Sequence, residues 1–164
     1  MDESKLIRLF TKTTKRMRDV AAHLLGPYDV RLGQNLLLEE LWLTDGLTPG
    51  EAATRLGITG PTVVRMAQRM EETGLVTRRR DDRDGRLVRI YLTDRGRQLQ
   101  EPIEVEFQQR DVRLLAGFSP QERAQLAGYL ERILANLDSY DRDRQSTRDR
   151  APDAQRPNRR MAAG

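Results

Sequence analysis

Residues Leu47–Leu99 read LTPGEAATRLGITGPTVVRMAQRMEETGLVTRRRDDRDGRLVRIYLTDRGRQL, and this stretch decides the fold. It opens on Thr48-Pro49-Gly50-Glu51. A threonine hydroxyl there can accept a backbone N–H three residues on, proline suits the first helical position, and glutamate can reach back to the threonine's own N–H. This capping box predicts a helix to about Leu56, stopped by Gly57. Thr59 is placed to cap a second helix that turns Val63, Met66, Ala67 and Met70 inward and stops at Gly74. The period then changes. Leu75-Val76-Thr77 and Leu87-Val88-Arg89-Ile90-Tyr91-Leu92 are β-type runs around Arg78–Arg86, a segment made of charge and glycine, which predicts a hairpin with a long basic tip. Two short helices joined by Leu56-Gly57-Ile58-Thr59 and followed by a hairpin describe a winged helix-turn-helix, whose second helix fits a DNA major groove.

Outward from this block the chain reads as helix. Leu6, Phe10, Met17, Ala21 and Leu24 recur every three to four residues over 4–25, and Gly26-Pro27 ends the pattern. A shorter apolar run, Leu32–Leu43, predicts a second helix. Thr93 caps a helix expected to run from about Asp94 to Ala116, which Pro102 must kink or divide. Ser119-Pro120-Gln121-Glu122 repeats the capping box ahead of Leu126, Leu130, Ile133, Leu137 and Tyr140. The expected architecture is mainly α with a small β-hairpin wing. It comprises a helical dimerisation region over 1–30 and 94–140, a winged helix-turn-helix over 31–93, and a disordered basic tail over 141–164.

The 164 residues hold 29 Lys+Arg, 25 Asp+Glu, one histidine and no cysteine. Without cysteine there are no disulfides, thiol nucleophiles or thiolate metal sites, and a single imidazole argues against a multi-histidine metal centre. No apolar run approaches the ~20 residues of a membrane span, and the polar opening Met1-Asp2-Glu3-Ser4 gives no sign of a secretory signal, so a cytoplasmic protein is expected. The positive charge is concentrated. Residues 55–97 carry 11 Arg and 6 acids, and residues 141–164 carry 7 Arg and 4 Asp, on an otherwise mildly acidic chain. That asymmetry points to a polyanionic partner. No P-loop, GxSxG, HExxH or dinucleotide fingerprint occurs, so no enzyme activity, catalytic residue, metal or cofactor is expected.

The second helix offers Pro61, Thr62, Val64, Arg65, Gln68 and Arg69 on its outward face. Guanidinium, amide, hydroxyl and methyl groups are the ones that read base edges. Thr59 and Gly60-Pro61 leave backbone N–H groups at a helix start, where a phosphate is favoured. In the wing, Arg83 and Arg86 supply charge, Arg86 is aimed at the minor groove or its phosphates, and Asp84 is expected to orient a neighbouring guanidinium.

This middle third of the chain resembles the DNA-binding core of the MarR (multiple antibiotic resistance regulator) family of transcription factors. GLVTRRR, Asp84-Gly85-Arg86 and the LTDRG exit at Leu92–Gly96 are the most specific signals, and Gly85 stands where the family often has arginine. The resemblance implies a homodimer on a pseudo-palindromic operator in double-stranded DNA. It also implies a crevice where a small, often aromatic or anionic, molecule triggers release. The lack of cysteine argues against the family's peroxide-sensing branch, and the lack of cysteine with a single histidine argues against its zinc-sensing branch. Candidate crevice residues are Met17, His23, Tyr28, Asn35 and Trp42. The apolar stripes at the chain ends, with Leu6, Phe10, Leu126, Leu130, Ile133 and Leu137, are expected to meet a twin. The rival reading is a sequence-neutral architectural DNA binder, or a protein-docking winged helix, without effector.

Overall fold

The computed structural model describes residues 2–150, with side chains through residue 142. The chain divides into two compact units, one ending at Leu114 and the other beginning at Leu115. In the first unit, helix α1 spans Glu3–Leu25. A single 3-10 turn, Gly26–Tyr28, follows. Helix α2 is Gln34–Leu43, α3 is Pro49–Leu56 and α4 is Gly60–Glu72. Strands β1 (Val76–Arg80) and β2 (Val88–Leu92) form one antiparallel hairpin, in register Val76 to Leu92 and Arg80 to Val88. Helices α5 (Asp94–Gln98) and α6 (Gln100–Leu114) complete the unit. No helix among the described residues is long and apolar enough to cross a membrane.

Local chemistry sets these boundaries. The Thr48 hydroxyl accepts from Glu51 N at 3.2 Å while Glu51 Oε2 accepts from Thr48 N at 2.7 Å, the reciprocal capping box. Gly57 closes α3 with φ 64°, the left-handed region that costs glycine little. Proline 102 has no N–H to bond to Gln98, and the expected helix is divided there: α5 ends at Gln98 and α6 begins at Gln100. Thr59 holds the residue position of a cap, but its hydroxyl pairs with the Thr62 hydroxyl at 2.8 Å and makes no cap bond to the backbone.

The core lies between α2, the helix-turn-helix and the wing. Leu37, Leu38, Leu41, Val63, Met70, Leu75 and Ile90 are fully buried, and Leu25 and Ile103 bring α1 and α6 onto the same cluster. The Trp42 indole donates to the Gly96 carbonyl at 2.9 Å. At residue 96 a Cβ would run into the Leu75 carbonyl, so only glycine lets α5 approach the base of the wing.

The second unit contains α7, Pro120–Arg150, started by a second capping box in which Ser119 N donates to Glu122 Oε2 at 2.8 Å. The expected disordered tail over 141–164 is therefore corrected for its first ten residues, which continue α7. Residues 129–151 contain neither glycine nor proline, and Arg and Gln propagate a helix at little cost, so polar composition alone does not end it. Residues 151–164 lie outside the described residues. Strand β1 also runs further than expected, through Arg78–Arg80, so the wing tip is confined to 81–87.

Candidate nucleic-acid interface

Helix α4 is two-faced. Val63, Ala67 and Met70 are buried, while Pro61, Arg65, Gln68 and Arg69 are exposed and Thr62 and Val64 are half-buried. The face expected to meet DNA is thus the face the core leaves free. Thr59 is exposed and Gly60 half-buried at the start of the same helix.

The wing is fixed to this helix and to α3 by charge. Arg78 at the root of β1 donates its backbone N–H to Glu71 Oε1 at 2.9 Å, and its guanidinium lies 2.7 Å from Glu71 Oε2. The Arg78 N–H first, and its guanidinium second, hold the Glu71 carboxyl below the usual range. At the tip, Asp81 accepts the backbone N–H groups of Arg83 and Asp84, both at 2.8 Å, and grips the Arg89 guanidinium. The Arg89 bond and these two N–H bonds lower the Asp81 carboxyl to about 2. Arg89 in turn donates to the Gly46 carbonyl at 2.9 Å and reaches Glu51 at 3.5 Å, tying the wing to the start of α3.

The acid that orients a guanidinium in the wing is therefore Asp81, and this corrects the expectation for Asp84. Asp84 accepts the backbone N–H of Arg86 at 3.0 Å, a local turn of the tip. Arg83, Asp84 and Arg86 are all exposed. Sequence alone does not distinguish Asp81, since three aspartates occupy 81–84 and only the hairpin register brings one of them to Arg89.

The eleven arginines of 55–97 fall into two groups. Arg55, Arg78, Arg89, Arg95 and Arg97 lie within 4 Å of a carboxylate, with Arg55–Glu40 at 3.4 Å, Arg95–Asp29 at 3.9 Å and Arg97–Asp45 at 2.6 Å. Arg65, Arg69, Arg79, Arg80, Arg83 and Arg86 have no carboxylate partner among the described residues, although Arg79 lies over the Tyr91 ring at 5.9 Å. The paired arginines join elements to one another. The six without a partner belong to α4 and the hairpin. Guanidiniums left without anions on a helix that fits a groove and on the adjoining wing are suited to phosphates and base edges.

The five crevice candidates do not come together. Asn35 is buried and spent on α2, accepting Gly33 N at 3.0 Å and donating to Glu39 at 3.1 Å. Tyr28 packs against the core, and His23 is exposed on α1. Met17 borders a cavity of about 310 Å³ between α1 and α6. Trp42 borders a separate one of about 300 Å³ between α2 and α6, walled also by Ile103 and Phe107. The stripe candidates are open in the single chain: Leu6 and Phe10 are exposed on α1, and Leu130 (41%), Ile133 (37%) and Leu137 (54%) on α7, with Leu126 half-buried.

A sequence profile described as the MarR family matches residues 31–87. The chain is 33% identical over 99 residues to the organic hydroperoxide resistance transcriptional regulator of Bacillus subtilis, covering 60% of this chain and 67% of that protein. It is 28% identical over 127 residues to an HTH-type transcriptional regulator of the same organism, YwaE, covering 77% and 74%. Among solved structures, MepR of Staphylococcus aureus in complex with DNA superposes with a TM-score of 0.72 at 29% identity, covering 84% of this chain and 99% of that one.

Proposed function

The chain belongs to the MarR family of transcriptional regulators, and from that premise we propose that it is a homodimer that binds a pseudo-palindromic operator and represses transcription until a small organic molecule releases it. The observation that carries the DNA-binding part is the division of the arginines. Of the eleven between residues 55 and 97, five are paired with carboxylates, and the six without such a partner among the described residues lie on α4 and the wing. In this reading Thr62, Arg65, Gln68 and Arg69 read base edges, and Arg83 and Arg86 hold phosphates or the minor groove. Thr59, Gly60 and Pro61 bring the start of α4 to the backbone.

The two apolar stripes support the dimer. One helix exposes Leu6 and Phe10 and another exposes Leu130, Ile133 and Leu137, and large apolar side chains exposed in rows are suited to a protein–protein contact. Footprinting of the DNA upstream of the protein's own gene tests the whole reading. Two protected half-sites, their centres about one helical turn (~10 base pairs) apart, with one dimer bound, are expected. Uniform protection with no half-sites would favour the architectural alternative.

For the effector, Trp42 is taken as the candidate, because it borders an open cleft beside Ile103 and Phe107 between α2 and α6. The chain has no thiol to oxidise, so a cysteine-based peroxide response is not proposed for it. A ligand screen read by Trp42 fluorescence, followed by displacement from DNA, tests this part. A ligand that quenches Trp42 but leaves the DNA complex intact would contradict it.

A further inference from the structure

Just past the C-terminus of α4, where the N–H groups of Thr73, Gly74 and Leu75 turn back to the carbonyls of Arg69, Glu71 and Met70, the turn presents the carbonyls of Thr73, Gly74 and Leu75. All three are met from the segment that opens α5. The Thr93 hydroxyl lies 2.6 Å from Gly74 O and 3.1 Å from Leu75 O, and Thr93 N donates to Leu75 O at 3.2 Å. Arg95 Nη1 donates to Thr73 O. The same guanidinium extends Nη2 to the Tyr28 carbonyl at 3.3 Å and lies 3.9 Å from the Asp29 carboxylate. Tyr28 and Asp29 form the turn that leaves α1, and Asp29 is held there at φ 57°. One side chain thus ties the end of α1 to the end of α4. A cation at two carbonyl-rich ends is favoured electrostatically, and the planar fork of arginine reaches both where an ammonium is a single point.

We propose that Arg95 is a positioning residue for DNA reading: it sets the pose of α4 against the end of α1. The inference rests on α4 being the element that reads DNA. Arg95 presents no group to the reading face, since its donors are turned to Thr73 and Tyr28. Its side chain is 45% exposed, and exposed bonds of this kind contribute little to global stability. Its loss therefore changes the pose of Thr62, Arg65, Gln68 and Arg69 more than it changes the fold.

The test compares wild type, Arg95→Ala and Arg95→Lys on the protein's own upstream DNA and on random DNA over a salt series. Dimer mass and melting temperature are measured in parallel. Both variants are expected to lose about 2- to 25-fold on the upstream DNA. Their random-DNA affinity, salt slope, dimer mass and melting temperature should stay at wild-type values. Arg95→Lys keeps the charge, so full wild-type discrimination in that variant would overturn the proposal. Equal losses of Arg95→Ala on both DNAs, with a shallower salt slope restored by lysine, would make Arg95 a phosphate contact and also overturn it. So would losses that track a fall in melting temperature or dimer mass. A wild-type protein that fails to prefer its upstream DNA would instead refute the reading of α4 itself.

Discussion

Removing Arg86 tests the proposed division of the arginines into structural and DNA-facing sets. Arg86 is exposed at the wing tip, its backbone N–H is fixed by Asp84 at 3.0 Å, and its guanidinium has no carboxylate partner among the described residues. If it neutralises one phosphate, each chain contributes about 0.9 to the slope of log affinity against log salt. A homodimer changed in both chains loses two such contacts, so the slope of Arg86→Ala falls by about 1.8. Between 50 and 200 mM salt, the wild-type advantage over the variant then shrinks by about tenfold. The loss is of the same size on upstream and random DNA, because phosphate carries no sequence information. Arg78→Ala is the control: its guanidinium is already spent on Glu71, so its slope stays at the wild-type value. Fluorescence anisotropy with labelled duplexes at four salt concentrations reads both numbers. An unchanged slope for Arg86→Ala in a folded dimer would remove the wing from the interface and refute the division of arginines into structural and DNA-facing sets.

Other perturbations follow from single contacts. Leu137→Asp on the exposed stripe of α7 should convert dimer to monomer or unfold the chain, because a charge buried at an apolar interface costs several kcal/mol; light scattering at micromolar concentration checks it, and an intact dimer would contradict the stripe's role. Gly96→Ala should destabilise by about 1–3 kcal/mol or more, since its Cβ meets backbone, and a denaturant midpoint equal to wild type would show that the α5 approach is looser than described. Asp81, lowered from 3.8 to about 2, contributes stability above its unfolded pKa that is lost as pH falls through the folded one. The difference in melting temperature between wild type and Asp81→Asn should therefore be constant above about pH 5 and vanish between about pH 4 and 2, and a difference that persists at the acid end would contradict the Arg89–Asp81 bond.

What the sequence made legible was local. The two capping boxes, Thr48 with Glu51 and Ser119 with Glu122, mark helix starts because both partners lie within four residues. Pro102 divides its helix through a missing N–H, which is also local. The outward face of α4 could be read from periodicity. The pairing of arginines could not. Arg89 meets Asp81 through hairpin register, and Arg95 meets Tyr28 across 67 residues of chain. Sequence proximity to Arg86 points to Asp84 as the partner, but the tip turn spends it on a backbone N–H. The apolar period of α7 fades at residue 140, which is where the sequence pattern puts its end. Helix propagation needs no apolar period where breakers are absent, and α7 runs on to Arg150.

Under the proposed function, the arginines and polar side chains of α4 read a particular DNA sequence. The most direct measurement is the affinity of the wild-type protein for its own upstream DNA and for random DNA of equal length, at one physiological salt concentration. Specific recognition predicts a ratio of about 10³ or more. It also predicts that Arg65→Ala costs about 1–3 kcal/mol on the upstream DNA alone. Equal affinity for the two DNAs, or an equal loss on both for Arg65→Ala, would contradict it.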